Sequence, residues 1–309
     1  MSSESAPIRI VVICGPTGTG KTAAAIEIAQ AIGAVIVSAD SMQVYRYMDI
    51  GTAKPTPAER AAVPHHLIDV VDPDGTFNAQ QYVALADAVI EDDFRRKIPV
   101  LVVGGTGLYI RALRYGLFPA PQIDPLIRSV LRTEVSEKGP AALYARLREL
   151  DPQSAAALHP NDTQRILRAL EVSLSTGRPF SSYLKDHGFR SERYATCVIG
   201  LYREREVLYG RIDRRVDDML ENGFLQEVER LLQMGYAAGL ASMQSLGYRH
   251  LVDFIEGRMN WDETVRTLKR DTRHYAKRQM TWFQKEKNII WIDANRTDAM
   301  IAVVKDFLR

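Results

Sequence analysis

Short apolar runs alternate with amphipathic stretches in the first third of the chain. Each run is rich in β-branched residues and is bounded by Gly, Pro or Asp, which is typical of buried strands. Helical spacing follows at residues 21–32, and again from Asn78 to about residue 97. Strands that alternate with helices predict crossover units, hence a parallel sheet covered by helices on both faces. The predicted strands of this part are residues 8–14, 34–38, 66–71 and 99–103.

The pattern changes between residues 122 and 177, where no run is typical of a strand. Helical stretches separated by Gly-Pro, Asp-Pro and His-Pro pairs predict an all-helical insertion at residues 120–195. The α/β core is then expected to comprise residues 1–119 and 196–309. Its second part is predicted to hold strands at 196–202 and 289–292, and helices at 205–220, 225–234, 262–283 and 297–308.

Composition narrows the class of protein. With 46% apolar and 25% charged residues among 309, the chain is globular and is neither disordered nor fibrous. Its apolar runs are too short to cross a bilayer, and residues 1–7 lack the basic and apolar regions of a signal peptide. Two cysteines exclude a disulfide framework and a zinc site built from cysteine. We expect a monomeric cytoplasmic enzyme that does not contact a membrane.

The net charge is only +2, but positive charge is concentrated in residues 264–287, which hold eight Lys or Arg against Asp271 and Glu286. This concentration indicates either a polyanionic partner or a solvated helix face. Four of the basic residues recur at spacings that place them in one stripe of a helix. They are Arg266, Arg270, Arg273 and Lys277.

A phosphate-binding motif follows the first predicted strand and precedes the first predicted helix. Its glycines allow a tight turn in which successive N–H groups point at phosphate oxygens, and the helix adds its positive end. Its Lys supplies a charge, and the hydroxyl that follows is a ligand for Mg²⁺. The motif, G-x-x-x-x-G-K-[ST], is Gly15, Pro16, Thr17, Gly18, Thr19, Gly20, Lys21 and Thr22. Such a loop predicts a P-loop NTPase-like core.

Hydrolysis of ATP would need a further carboxylate for Mg²⁺ and a group that positions water. The strand at 99–103 ends in Gly104 and Gly105 without an acid. Asp69 is one possible substitute. Asp40 is better placed, because it directly follows a strand, and ligands bind beyond the carboxyl ends of parallel strands. A cap at the edge of the core is the alternative role for Asp40.

Several blocks beyond the loop resemble the bacterial tRNA dimethylallyltransferases, in the order typical of that family and over almost the whole chain. These blocks are SADSMQVY at 38–45, GTAKP at 51–55, HHLID at 65–69, GGTGLY at 104–109, NDTQRILRALE at 161–171, QSLGYR at 244–249 and KRQMTWF at 277–283. The set is far more specific than the phosphate loop alone.

The resemblance implies that the loop binds the diphosphate of dimethylallyl diphosphate rather than ATP. It implies that Asp40 is the general base toward the N6 amine of the adenosine 3′ to the anticodon. It also implies that Thr106 lies beside the reacting groups and that Arg211 helps to bind diphosphate. Mg²⁺ is the expected cofactor, with Thr22 as a ligand.

The same resemblance implies that an insertion and a core clasp the anticodon arm of tRNA. The residues it assigns to tRNA are Asp40, Ser41, Met42, Gln43, Thr106, Arg128, Gln164, Arg165, Ile166, Leu167, Arg168, Gln244, Ser245, Leu246, Gly247, Tyr248, Arg249, Lys277, Arg278, Gln279, Thr281 and Trp282.

The chemistry of the residues agrees with prenyl transfer, because an activated allylic donor needs only leaving-group neutralisation and an aimed nucleophile. Three alternatives remain: a nucleoside or nucleotide kinase, a transferase that acts on free adenine nucleotides, and a non-catalytic RNA-binding protein that uses the loop as a switch.

Overall fold

The computed structural model describes residues 7–117, 123–188 and 191–309. The polar residues 1–6 and the expected boundary at 119/120 lie outside this part of the chain. The chain divides into two compact units, one of Met1–Arg114 with Glu192–Arg309 and the other of Tyr115–Ser191. The second unit is followed by a strand that already pairs in the sheet at residue 195.

The first unit is built on a six-stranded sheet in which every pairing is parallel, in the order β3-β2-β4-β1-β5-β6. The α/β class is therefore confirmed. Cys14 of β1 is paired with Gly104 of β4, and Ser38 of β2 with Val103, so the carboxyl ends of these strands lie at one edge. The strands are β1 Arg9–Cys14, β2 Val35–Ser38, β3 His65–His66, β4 Val100–Gly104, β5 Ala195–Tyr202 and β6 Ile289–Asp293.

Fourteen helices complete the described part of the chain. They are α1 Lys21–Ile32, α2 Pro57–Ala62, α3 Ala79–Arg95, α4 Gly107–Tyr115, α5 Pro125–Lys138, α6 Pro140–Leu150, α7 Pro152–Ala157, α8 Thr163–Thr176, α9 Phe180–His187, α10 Arg205–Glu221, α11 Phe224–Gln233, α12 Tyr248–Ile255, α13 Trp261–Phe283 and α14 Thr297–Leu308. No helix among the described residues is both long enough and apolar enough to cross a membrane.

The sheet is buried on both faces because alternate side chains of its central strands point to opposite sides. Val12 packs in a cluster with Tyr82 of α3, whereas Ile13 packs on the other face with Ile28 of α1. A third apolar cluster joins the segment after β2 to α11, α12 and α13. This third cluster fixes a layer of helices beside the carboxyl edge of the sheet.

The second unit is helical and comprises α5 to α9. Its core is formed by Leu131, Leu143, Leu147 and Leu170 on facing helices. Asp151 is buried at the start of α7, where its carboxylate accepts hydrogen bonds from Ser154 and Ser181.

One predicted strand is wrong in extent. Of the segment 66–71 only His66 belongs to a strand, the two-residue β3, because Leu67 and Asp69 adopt left-handed backbone conformations with φ of 61° and 58°. The chain beyond β3 leaves the sheet, and Val70 instead donates its N–H to the carbonyl of Val44.

Candidate active site

The phosphate loop forms the turn between β1 and α1. Gly15, Gly18 and Gly20 all have positive φ, and a Cβ at Gly15 would lie 2.6 Å from the carbonyl oxygen of Leu201. Only glycine fits this close approach of two backbones. The turn therefore depends on the residue types that define the motif.

The carbonyl groups of the loop are held by side chains. Lys21 Nζ and Thr19 Oγ1 each donate to the carbonyl of Pro16, at 2.9 Å. Two arginines act from outside the loop: Arg211 Nε donates to Gly18 O at 2.9 Å, and Arg203 Nε donates to Thr19 O at 2.8 Å. Arg211 of α10 is thus brought to the loop. Arg203 is a contact that the sequence did not predict.

Asp40 lies directly beyond β2, and one of its oxygens holds the turn that follows. Oδ1 accepts from the N–H of Met42 at 2.8 Å and of Gln43 at 3.4 Å. Oδ2 makes no hydrogen bond within the described residues. The Asp40 carboxylate therefore has both a capping function and an oxygen able to accept a proton, so the two roles considered for it are compatible.

Thr106 forms hydrogen bonds with the backbone of the two residues that flank Asp40. Its N–H donates to Ala39 O at 3.1 Å, and its Oγ1 accepts from the N–H of Ser41 at 3.0 Å. Gln43 is also fixed, because its side chain donates to the carbonyl of Ala53 at 3.2 Å. The residues that the resemblance assigned to the segment after β2 thus form one hydrogen-bonded turn.

Three charged groups interact at the base of this edge. Burial, and then the charge of Arg215, lowers the pKa of Lys21 to about 8, and the Asp40 carboxylate opposes that shift. Burial lowers the pKa of Arg215 as well, and Asp40 again opposes the shift. Arg215 was not among the predicted site residues, although it lies one helical turn beyond Arg211 on α10 and its spacing was available in the sequence.

A cavity of about 640 Å³ opens at the carboxyl edge of the sheet. Lys21, Thr22 and Asp40 are among the residues that line it. Arg211 and Arg215 add positive charge to its wall. Its apolar wall is formed by Val216, Met219, Phe224, Leu268 and Tyr275. This wall could not be identified from the sequence, since its members come from three separate helices.

The block at 244–249 lies at the same cavity in part. Ser245, Leu246, Gly247 and Tyr248 line it. Tyr248 is fully buried, and its hydroxyl donates to Glu227 Oε1 at 2.6 Å. The two ends of the block are exposed: Gln244 donates to Ala238 O, and Arg249 pairs with Asp271.

Some of the predicted RNA-contacting residues of helix α13 are exposed, and others are buried. Lys277, Arg278 and Thr281 are exposed. Gln279 is buried and lines the cavity, where it contacts two loops. Trp282 is half-buried beneath the guanidinium of Arg111, which lies 4.5 Å from the ring centroid. Side chains of one sequence block therefore have different environments.

The basic stripe of α13 is only partly available to a ligand. Arg273 pairs with Asp213 at 2.5 Å. Arg270 and Arg266 are exposed, and each lies near an acid of its own helix. Within this stripe, the exposed positive charges are those of Arg266, Arg270 and Lys277.

The candidates in the second unit lie on α5 and α8. Gln164 and Arg165 are exposed, whereas Ile166 and Leu167 pack in or against the core of the unit. Arg128 and Arg168 both approach Glu171, with nearest N–O distances of 2.9 and 3.7 Å.

Asp69 does not fit the role of a carboxylate at the cavity. Its two oxygens are engaged by Lys54 Nζ at 2.6 Å and by Arg60 Nη1 at 2.7 Å. It is not among the residues that line the cavity. Within residues 7–117, 123–188 and 191–309, no three His, Cys, Asp or Glu side chains are placed to hold a metal ion. The cavity is lined by the carboxylates of Asp40, Glu59 and Asp218, and of these Asp40 lies just beyond the end of a strand, whereas Glu59 and Asp218 lie on helices.

Comparison of the sequence with known proteins identifies a family. A family model described as IPP transferase matches residues 43–286. The tRNA dimethylallyltransferase of Syntrophobacter fumaroxidans is 52% identical over 294 residues, covering 95% of this chain and 86% of the relative. That of Desulfosudis oleivorans is 48% identical over 302 residues, covering 97% and 96%.

Solved structures are similar as well. The tRNA isopentenylpyrophosphate transferase of Bacillus halodurans has a TM-score of 0.72 at 38% identity, covering 97% of this chain and 96% of its own. A eukaryotic dimethylallyltransferase, described as acting on tRNA, has a TM-score of 0.83 at 29% identity and covers 97% and 79%. On the family match and on these identities, the chain belongs to the IPP transferase family.

Proposed function

We propose that this protein transfers the dimethylallyl group of dimethylallyl diphosphate to N6 of the adenosine 3′ to the anticodon of tRNA, with release of diphosphate. Relatives that are about half identical in sequence over nearly the whole chain are named for this activity. The observation that carries the proposal is the cavity in which the phosphate loop faces Asp40. A carboxylate beside an anion-binding loop would equally suit a kinase, in which it accepts the proton of a hydroxyl, so the choice of prenyl transfer follows the names of the relatives.

The diphosphate is bound by the N–H groups of the loop and by the Lys21 ammonium. Arg211 and Arg215 line the same cavity and stabilise the negative charge that develops on the leaving group. This arrangement favours departure of diphosphate without covalent participation of the protein.

Mg²⁺ is compatible with this site. The ion keeps several water molecules and binds through one or two protein oxygens together with substrate phosphates. Thr22 lines the cavity next to Lys21, so its hydroxyl and the diphosphate would hold the ion. When bound, Mg²⁺ would supply further positive charge to the leaving group.

In the transfer step, the N6 lone pair forms a bond to the allylic carbon C1. The bond between C1 and oxygen breaks, and its electron pair leaves with the diphosphate. The proton from N6 passes to Oδ2 of Asp40, whose other oxygen remains engaged by the turn. Thr106 Oγ1 holds the neighbouring Ser41 amide and thereby fixes the position of this carboxylate.

The remaining parts of the cavity fit the other portions of the substrates. Phe224, Leu268 and Met219 provide an apolar surface for the dimethylallyl group. The exposed side chains of Lys277 and Arg278 on α13 are suited to RNA phosphates. The target base must leave its stack to enter the cavity, which costs a few kcal/mol and less in a loop than in a duplex.

The test is mass spectrometry of a synthetic anticodon stem-loop after incubation with protein, Mg²⁺ and dimethylallyl diphosphate. We expect one dimethylallyl group to replace one hydrogen, and no change when the target adenosine is replaced by inosine, which lacks the N6 amine. Parallel reactions with free AMP as acceptor and with ATP as donor are expected to give no product. An unmodified stem-loop, or product from AMP or ATP alone, would contradict the proposal.

A further inference from the structure

One buried side chain connects the two loops that meet at the cavity. Gln279 of α13 accepts a hydrogen bond from the N–H of Thr17 through Oε1, at 2.8 Å. Through Nε2 it donates to the carbonyl of Gly105, at 2.9 Å. Only 7% of Gln279 is exposed. A single amide thus satisfies one donor of the phosphate loop and one acceptor of the loop after β4.

The two loops carry different parts of the proposed chemistry. Thr17 belongs to the loop that binds diphosphate. Gly105 immediately precedes Thr106, whose backbone and hydroxyl hold Ala39 and Ser41 on either side of Asp40. The hydrogen bonds of Gln279 therefore fix the distance between the donor side of the cavity and the acceptor side.

We propose that Gln279 is a positioning residue: its amide sets the phosphate loop in register with the Thr106–Asp40 segment, so that donor and acceptor are held in reacting alignment. This proposal rests on the proposed function for its kinetic consequence. A misalignment of about 1 Å between reacting groups can slow a reaction roughly 100-fold. Gln279 belongs to a block of residues predicted to contact RNA, but both polar atoms of its amide already bond to protein groups, so we assign it a positioning role instead.

The chain offers a perturbation from the opposite side of the same contact. A Cβ at Gly105 would lie 2.2 Å from Nε2 of Gln279. The substitution Gly105→Ala must therefore displace the Gln279 amide, although Gln279 itself is unchanged. Gln279→Leu removes both hydrogen bonds at similar side-chain volume, and in that background the alanine at 105 no longer meets an amide.

Two readouts test the proposal. In single-turnover transfer to the stem-loop, we expect Gln279→Leu and Gly105→Ala each to lower the rate about 10- to 100-fold. Dissociation constants for inorganic diphosphate and for the stem-loop should change less than about threefold, since alignment rather than binding is lost. The double variant should be no slower than Gln279→Leu, because both changes remove the same interaction. The matched control is Gln284→Leu, at an exposed position beyond the last turn of α13.

Amide hydrogen exchange provides the second readout and does not depend on the substrate. Exchange should rise together in residues 15–19 and 104–107 in both single variants and stay unchanged in the control. The positioning role would be overturned by transfer rates like that of the control or by multiplicative effects in the double variant. It would also be overturned by weakened stem-loop binding as the main defect, or by unchanged exchange in either loop. A wild-type protein that fails to modify the stem-loop would refute the proposed function alone, and the exchange result would still decide the role of Gln279.

Discussion

A buried carboxylate organises the loop that forms one wall of the cavity. Glu227 of α11 is 2% exposed. Its Oε2 accepts from the N–H of Asp49 at 2.9 Å and of Ile50 at 2.8 Å. Its Oε1 accepts from the N–H of Gly51 at 3.1 Å and from the Tyr248 hydroxyl at 2.6 Å. We predict that Glu227→Ala strongly destabilises the protein.

The magnitude follows from the donors left behind. A hydrogen bond to a charged group contributes about 1.5–3 kcal/mol, but contributions that share one acceptor are not additive. Each buried donor left without a partner costs about 1–3 kcal/mol, and because four donors lose a shared acceptor we expect Glu227→Ala to cost about 3–5 kcal/mol in all. Tyr248→Phe removes one of the four bonds and should cost about 1 kcal/mol.

The assay is equilibrium unfolding in urea, with the midpoint and slope compared between variants. Gln226→Ala, an exposed neighbour on α11, is the control and should change the free energy of unfolding by less than about 0.5 kcal/mol. A loss below about 1 kcal/mol for Glu227→Ala would refute the reasoning, because it would mean that the three backbone donors find other partners.

Three further outcomes are expected. The pKa of Lys21 is lowered to about 8, so its positive charge is present below that pH. Binding of inorganic diphosphate should therefore weaken as pH rises through about 8, with Lys21→Gln as the control for titration of the ligand itself. Binding that stays constant to about pH 10 would contradict this. Gly51→Ala should cost about 1–3 kcal/mol of stability, since a Cβ there would lie 2.1 Å from the Phe224 ring. Gly210→Ala should instead stabilise by about 0.5–1 kcal/mol, because this exposed position inside α10 has open space; urea unfolding measures both, and equal effects of the two alanines would be inconsistent with the packing.

The sheet and the phosphate loop were predictable because their signals are local. Strand β1 is a continuous apolar run, and the motif after it prescribes both a turn and a helix start. The predicted strand at 66–71 failed because left-handed conformations at Leu67 and Asp69 leave little trace in a pattern of apolar residues. Helix α12 was not predicted either, since it has only eight residues and its N-cap is Gly247, whose side chain offers no capping group.

The site was predictable as far as strand ends determine it. Asp40 and Gly104 could be expected together because the carboxyl ends of parallel strands share one edge. The contacts of Gln279 and Glu227 were not predictable, because they join residues 262 and 178 positions apart in sequence. Their partners are backbone groups, which have no residue-specific signature.

The claim that Asp40 is the base toward N6 is tested most directly by single-turnover transfer with Asp40→Asn. The amide oxygen can still accept from Met42 and Gln43, so the turn is preserved while the proton acceptor is removed. We predict transfer to the anticodon stem-loop about 10²- to 10⁴-fold slower than wild type, with stem-loop affinity changed less than about threefold. Transfer at the wild-type rate would contradict the account.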